Sequence, residues 1–325
     1  MRPGLFLAAC FLLCALPVRA QTLLVGEKDG GRLAFVDPAT LAILARVPAN
    51  SHPHEVATDG RYAYVSNSGA NAITVIDIAA RAQAPGIALG GLGACHGLWM
   101  AGGKLYFASE NARTIGRYDP ATREIDWVLG TGLPRSHMLV LSADASTLFT
   151  ANMRPGSAGI IERPLGADGK PGDWTITEIP TGRRAEGIDL SPDGRTLWVA
   201  NVDERTISVI DVASKSVVRT LQPPTTFSNR LKFTRDGRRV LVADLQGDHV
   251  VLYDAATYDI VRRIDVGGGS EGLLMTPDGR RAFVAVSPED KVVAIDLETL
   301  DIVGVITGLE NPDGMAWVES LEIAK

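Results

Sequence analysis

Short aliphatic runs, separated by glycine, proline, aspartate and asparagine, fill this chain from about residue 21 onward. They carry no helical spacing of apolar positions. Alternating or continuous runs of this length predict half-buried and buried strands. The stretch from Glu186 to Leu221 is the clearest copy. It predicts four strands: Glu186 to Leu190, Leu197 to Asn201, Thr206 to Asp211 and Ser216 to Leu221. The first two are joined by Pro192-Asp193-Gly194, where proline presets φ and glycine accepts a positive φ. The turn returns as Arg235-Asp236-Gly237 and Pro277-Asp278-Gly279, and loosely as Ala143-Asp144-Ala145. Further second strands are predicted to end at Asn67, Glu110, Asn152, Asp244 and Val286, and third strands at Asp77, Asp119, Asp254 and Asp296.

The first strands set the period. They open at His54-Glu55-Val56, His96-Gly97-Leu98, His137-Met138-Leu139, Glu186-Gly187-Ile188, Asn229-Arg230-Leu231, Glu271-Gly272-Leu273 and Asp313-Gly314-Met315, spaced by 42, 41, 49, 43, 42 and 42 residues. Such a period, with strands and turns alone, predicts an all-β fold: a seven-bladed β-propeller with four-stranded blades. Leu23 to Glu27, Leu33 to Asp37 and Leu41 to Val47 match second, third and fourth strands, and Asp313 to Val318 supplies a lone first strand. The last blade is therefore closed by N- and C-terminal strands, which hides sheet edges. The spacing of 49 is ascribed to an extra surface loop from Arg154 to Asp173, rich in glycine and proline.

Residues 1–20 read differently. Arg2, an apolar run from Leu5 to Leu16 and then Val18-Arg19-Ala20 fit a signal peptide cleaved before Gln21. The run is too short for a membrane span, and no other stretch is long and apolar enough. Too little apolar chain precedes Leu7-Ala8-Ala9-Cys10 for a lipoprotein signal. The expected product is one domain, 21–325, periplasmic or secreted. Of 32 basic residues, Arg2 and Arg19 leave with the leader, so 30 face 38 acidic ones, a balance of −8. An acidic surface makes nucleic acid a poor partner. Cys10 and Cys14 leave too, and Cys95, alone, is expected to pack within a blade.

In this fold the starts of the first strands gather at one end of the central channel. Three of five histidines occupy consecutive slots, with Glu186, Asn229, Glu271 and Asp313 in the rest. His52 competes with His54 for its slot, and the apolar pattern (Val56 with Ile188) favours His54. A second ring from the strand ends would hold Glu27, Asn67, Glu110, Asn152, Asn201 and Asp244. Three imidazoles from neighbouring blades, His54, His96 and His137, suit a divalent transition metal such as zinc, copper or manganese. Glu186, as a fourth ligand or general base, and Glu271, as an alternative base, are then the catalytic candidates. Asn229, Asp313, Glu110, Arg184 and Arg230 are the candidate ligand-binding residues, the arginines for a carboxylate or phosphate group; Arg135 and Arg183 flank the same slots. Histidines at a rim that only hydrogen-bond ordered water are the plainer alternative.

At Tyr64-Val65-Ser66-Asn67 and Trp198-Val199-Ala200-Asn201, each followed by an aliphatic strand ending in aspartate, the chain resembles the YVTN-repeat, YncE-like propellers. The resemblance spans the whole chain after the leader and speaks to architecture more than activity. It implies an exported binding or scaffold protein, to which the histidine-bearing channel mouth adds a small ligand or divalent metal. A metal-dependent hydrolase, lactonase or lyase using the histidine cluster is the enzymatic alternative, and a protein-interaction scaffold a third.

Overall fold

A computed structural model describes residues 20–67, 70–166, 169–170 and 172–321. The expected signal peptide, with Cys10 and Cys14, lies outside these residues apart from Ala20. The described chain folds into seven four-stranded antiparallel sheets. Six are meanders of consecutive strands. In the seventh, the final strand Pro312–Leu321 pairs with Ala20–Glu27, which in turn pairs with Arg32–Val36 and so reaches Ile43–Pro48. The predicted seven-bladed propeller, closed by both ends of the described chain, is the fold.

Local chemistry explains the regularity. The turns after the innermost strands are tied by side chains: Ser191, Thr234 and Thr276 donate to Asp193, Asp236 and Asp278 at 2.6–2.7 Å. Gly194, Gly237 and Gly279 take the positive φ, 70–74°, that these turns demand. The acids ending third strands also act locally. Asp37, Asp77, Asp211, Asp254 and Asp296 each accept backbone N–H groups from the next turn.

Blades bury their faces against each other. Leu241, Val250 and Leu252 of one blade pack on Leu273, Val284 and Ile295 of the next. Trp198, fully buried, meets Phe233 and Tyr253 of the following blade edge-on at 5.9–6.0 Å. Cys95 is buried as expected, and burial holds its thiol well above the usual range. The extra loop expected from Arg154 to Asp173 is loop only in its second part. Ser157–Glu162, inside the supposed loop, is a buried third strand. Its Ala158-Gly159 start is too small to read as a strand, but Gly159 faces Thr150 and Leu133 where a Cβ would not fit. The added length falls in 163–174 instead.

The innermost strands are Pro53–Thr58, Cys95–Ala101, Ser136–Leu141, Ala185–Leu190, Ser228–Phe233, Ser270–Met275 and Pro312–Leu321. All seven carry one extra residue relative to the partner strand just after their first residue: Pro53 pairs with Asn67 and Val56 with Val65, for example. A bulge frees a side chain from strict up-and-down alternation. In every blade it takes in the second position, the predicted slot, and in six of the seven the third as well. The glycine after four of the slots admits the neighbouring blade. A Cβ on Gly97 would sit 2.9 Å from the His137 carbonyl oxygen, and on Gly187 2.7 Å from that of Asn229. On Gly272 and Gly314 it would overlap the carbonyl oxygens of Asp313 and His54.

Candidate functional site

His54, His96, His137, Glu186, Asn229, Glu271 and Asp313 each stand second in an innermost strand. The bulges bring them to one end of the channel. His54 holds the slot; His52 lies outside the strand, exposed, with its ring edge-on to His54 at 5.3 Å.

The three imidazoles form a stack. Ring centroids are 4.8 Å apart from His54 to His96 and 3.8 Å from His96 to His137, with planes tilted by 40° and 33°. Carboxylates close both ends. His54 Nδ1 lies 2.9 Å from Asp313 Oδ2, and His137 Nδ1 lies 2.5 Å from Glu110 Oε1. A carboxylate on Nδ1 fixes the ring and leaves Nε2 free to bind. His137 Nε2 lies 3.9 Å from Glu186 Oε1. The rings overlap rather than aim their nitrogens at one point. Among the described residues, no group of three or more His, Cys, Asp or Glu side chains is arranged to hold a metal ion.

Electrostatics divides the groups. Burial drives the His96 imidazolium well below the usual histidine range, and the neighbouring charges of His137 and Arg230 push the same way. The central ring of the stack is therefore neutral at pH 7. Burial pushes the Glu110 carboxyl up, but hydrogen bonds from His137 and Arg135 override it and bring it down to about 2. Glu271 is raised, by burial and then by the Asp313 charge, although Lys28 and Ser287 both donate to it. Asp313 is lowered: burial opposes its charge, but His54 and Lys28 more than offset that. Glu271 is thus the carboxyl that holds its proton more readily, and Asp313 the one that stays ionised.

The arginines already have partners. Arg135 donates to Glu110 at 2.9 Å, and Arg184 Nε lies 3.3 Å from Glu186 Oε2. Arg183 pairs with Glu204 at 3.0 Å on the exposed rim. Arg230, 8% exposed, reaches across the channel to Glu55 at 2.7 Å and lies 3.8 Å from Glu186. Glu55 and Arg230 stand in the position that is glycine in four blades. Opposite charges there were a readable sign of a cross-channel pair, and sequence reasoning missed Glu55. It also missed Lys28 and Ser287, which only the closing blade brings to Glu271.

The supposed second ring does not line the channel as a unit. Asn67, Asn152 and Asn201 fold back onto Thr74, Ser157 and Thr206 of their own blades. Asp244 accepts from the backbone of Thr226 and Phe227, and Glu27 holds Arg46 and Arg32. Glu110 contacts His137, but it is not in the ring position: its strand ends at Ser109, opposite Cys95, and Glu110 lies one residue beyond. Four buried polar atoms of the mouth have no hydrogen-bond partner: His96 Nδ1, Glu186 Oε2, Asn229 Oδ1 and Asp313 Oδ1. Arg184 is near enough to Glu186 Oε2 for attraction but poorly angled for a hydrogen bond.

No known protein family and no curated protein matches the sequence. Solved structures do match. A functionally unknown protein from Desulfotomaculum acetoxidans aligns over 91% of this chain and 98% of its own, at 15% identity and a TM-score of 0.76. Hydrazine synthase from Kuenenia stuttgartiensis aligns over 91% and 100%, at 18% identity and a TM-score of 0.72. Likeness at these identities is one of fold alone: the chain is a seven-bladed β-propeller.

Proposed function

We propose that this protein is an exported binding propeller of the YVTN-repeat, YncE-like kind, and that its histidine-bearing channel mouth takes a small cation. The reading of export rests on Arg2, the apolar run after it and the small residues up to Ala20. The observation that carries the ligand class is the set of unpartnered buried atoms at the mouth. Glu186 Oε2, Asn229 Oδ1 and Asp313 Oδ1 are acceptors, and the neutral His96 ring offers a lone pair on one nitrogen. Buried acceptors without donors are costly, and a ligand that brings positive charge or N–H groups satisfies them. A divalent metal ion and a small organic ammonium share that chemistry.

Calorimetric titration of untagged, chelator-treated protein separates the two sources. Zinc, copper(II) and manganese form one arm and methylammonium the other. One arm is expected to give saturable one-to-one binding that a Glu186→Gln/Asp313→Asn variant weakens at least about tenfold. Failure of both arms, or full binding by the double variant, refutes the reading.

An acid–base enzyme is the second reading, favoured by the raised Glu271 carboxyl at the same mouth. General acid catalysis needs a group that still carries its proton near the working pH. A lactone and ester panel tests it: turnover must appear and be lost in Glu271→Gln.

A further inference from the structure

The cross-channel pair divides the channel. Beyond Glu55 and Arg230, on the side away from the histidines, lies a cavity of about 960 Å³ that opens among the turns at the far ends of the innermost strands, such as Pro192-Asp193-Gly194. Four of the six methionines of the chain line it, Met100, Met138, Met275 and Met315, with two of its five tryptophans, Trp99 and Trp317. They come from four different blades, and nothing in the repeat itself requires sulfur or indole there. All but Met315 remain partly exposed. Methionine and tryptophan walls are adaptable, polarizable binding surfaces. A cavity of this size and lining matches those that enclose small organic molecules.

We propose that this lower compartment is a second binding site, separate from the histidine mouth, for an uncharged and mainly apolar small molecule. The absence of charge follows from the pairing of the charged groups deep in the cavity. Arg230 is bound to Glu55 at 2.7 Å, and Lys232 lies 3.2 Å from Asp189 while its ammonium sits 5.1 Å over the Trp99 ring. A charged ligand would have to break one of these pairs and leave a buried charge without its partner, at a cost that an uncharged ligand avoids. The aromatic and thioether walls meet the apolar body. The Arg230–Glu55 pair forms the inner end, so ligands enter from the turn face.

Full-length protein titrated with N-phenyl-1-naphthylamine, an uncharged dye that brightens in apolar surroundings, tests the site. Saturable one-to-one binding with quenching of tryptophan emission is expected. Dodecanol should displace the dye at lower concentration than dodecanoate or dodecyltrimethylammonium. Met275→Arg should weaken dye binding at least about tenfold by placing an unpaired charge in the wall, and Met275→Leu should retain it. If Met275→Arg fails to fold, Leu190→Gln on another blade gives the same readout with less disturbance. No saturable binding, equal binding by a folded Met275→Arg or Leu190→Gln protein, or displacement led by a charged amphiphile overturns the proposal.

Discussion

Replacing Arg230 with methionine asks how much the cross-channel pair is worth. Methionine keeps much of the side chain's length and none of its charge. The change leaves Glu55, 2.7 Å from the lost guanidinium, and Glu186, 3.8 Å from it, without a cation between them. The Glu55 side chain is 17% exposed and that of Glu186 11%, so water screens them weakly. Breaking a buried pair on one side costs about 3–5 kcal/mol, whereas replacing both partners by neutral groups is often close to neutral. For a chain of this length each kcal/mol moves the melting point by about 2 °C. Arg230→Met should therefore melt about 6–10 °C lower than the parent, at pH 7 and low salt. Glu55→Gln/Arg230→Met should recover more than half of the loss, although Glu186 remains. Thermal melts followed by circular dichroism, with urea unfolding of the four proteins of the double-mutant cycle, supply the numbers. A melting point within about 1 °C of the parent for Arg230→Met, or a double variant no better than the single one, would refute the reasoning.

Gly314→Ala should lose about 2–3 kcal/mol or more, because the new methyl overlaps the His54 carbonyl oxygen and backbone must shift; Gly60→Ala, which meets nothing nearby but keeps a strained positive φ of 88°, should cost less in the same urea titration. Two groups should contribute to acid sensitivity. His96 is held neutral in the folded chain, so its contribution is present above the ordinary histidine value and lost as pH falls below it; His96→Gln should flatten stability against pH below the ordinary value of 6.5. Glu110 has its folded value depressed to about 2, so its contribution is complete above the ordinary value of 4.5 and disappears as pH falls toward 2; Glu110→Gln should flatten that lower window. Cys95 should resist a thiol-reactive disulfide reagent in the native protein and react at once in urea, since its thiol is buried and its ionisation disfavoured.

The architecture was legible because it is a repeat. Aliphatic alternation gave the strands, aspartate–glycine turns gave their joins, and the period gave the number of blades. The slots were legible for the same reason, down to the preference for His54 over His52. The bulge that occurs in all seven blades leaves no mark of its own in the sequence, whereas Gly102-Gly103, both at positive φ, make the shorter turn after the His96 strand. What the sequence hid was a one-residue difference in register. Asn67 ends its strand opposite Pro53 and turns back to Thr74 of its own blade, but the strand expected to end at Glu110 ends at Ser109, opposite Cys95. Glu110 stands one residue further on, past the strand, and from there reaches His137 of the next blade. The lower cavity was hidden too, because its methionines and tryptophans stand up to 218 residues apart, from Trp99 to Trp317, and look like ordinary core residues in any single blade.

Completion of the ring and completion of the mouth are one event. Asp313, which steadies the first imidazole of the stack, belongs to the strand that locks onto Ala20–Glu27. Lys28, which meets Glu271, directly follows that N-terminal strand. A nascent chain that has made six sheets still has a gap where these two side chains belong. The histidine-bearing end is thus assembled only by molecules whose final strand has found the first, and a molecule left ajar would hold its histidines without the carboxylate that orients His54.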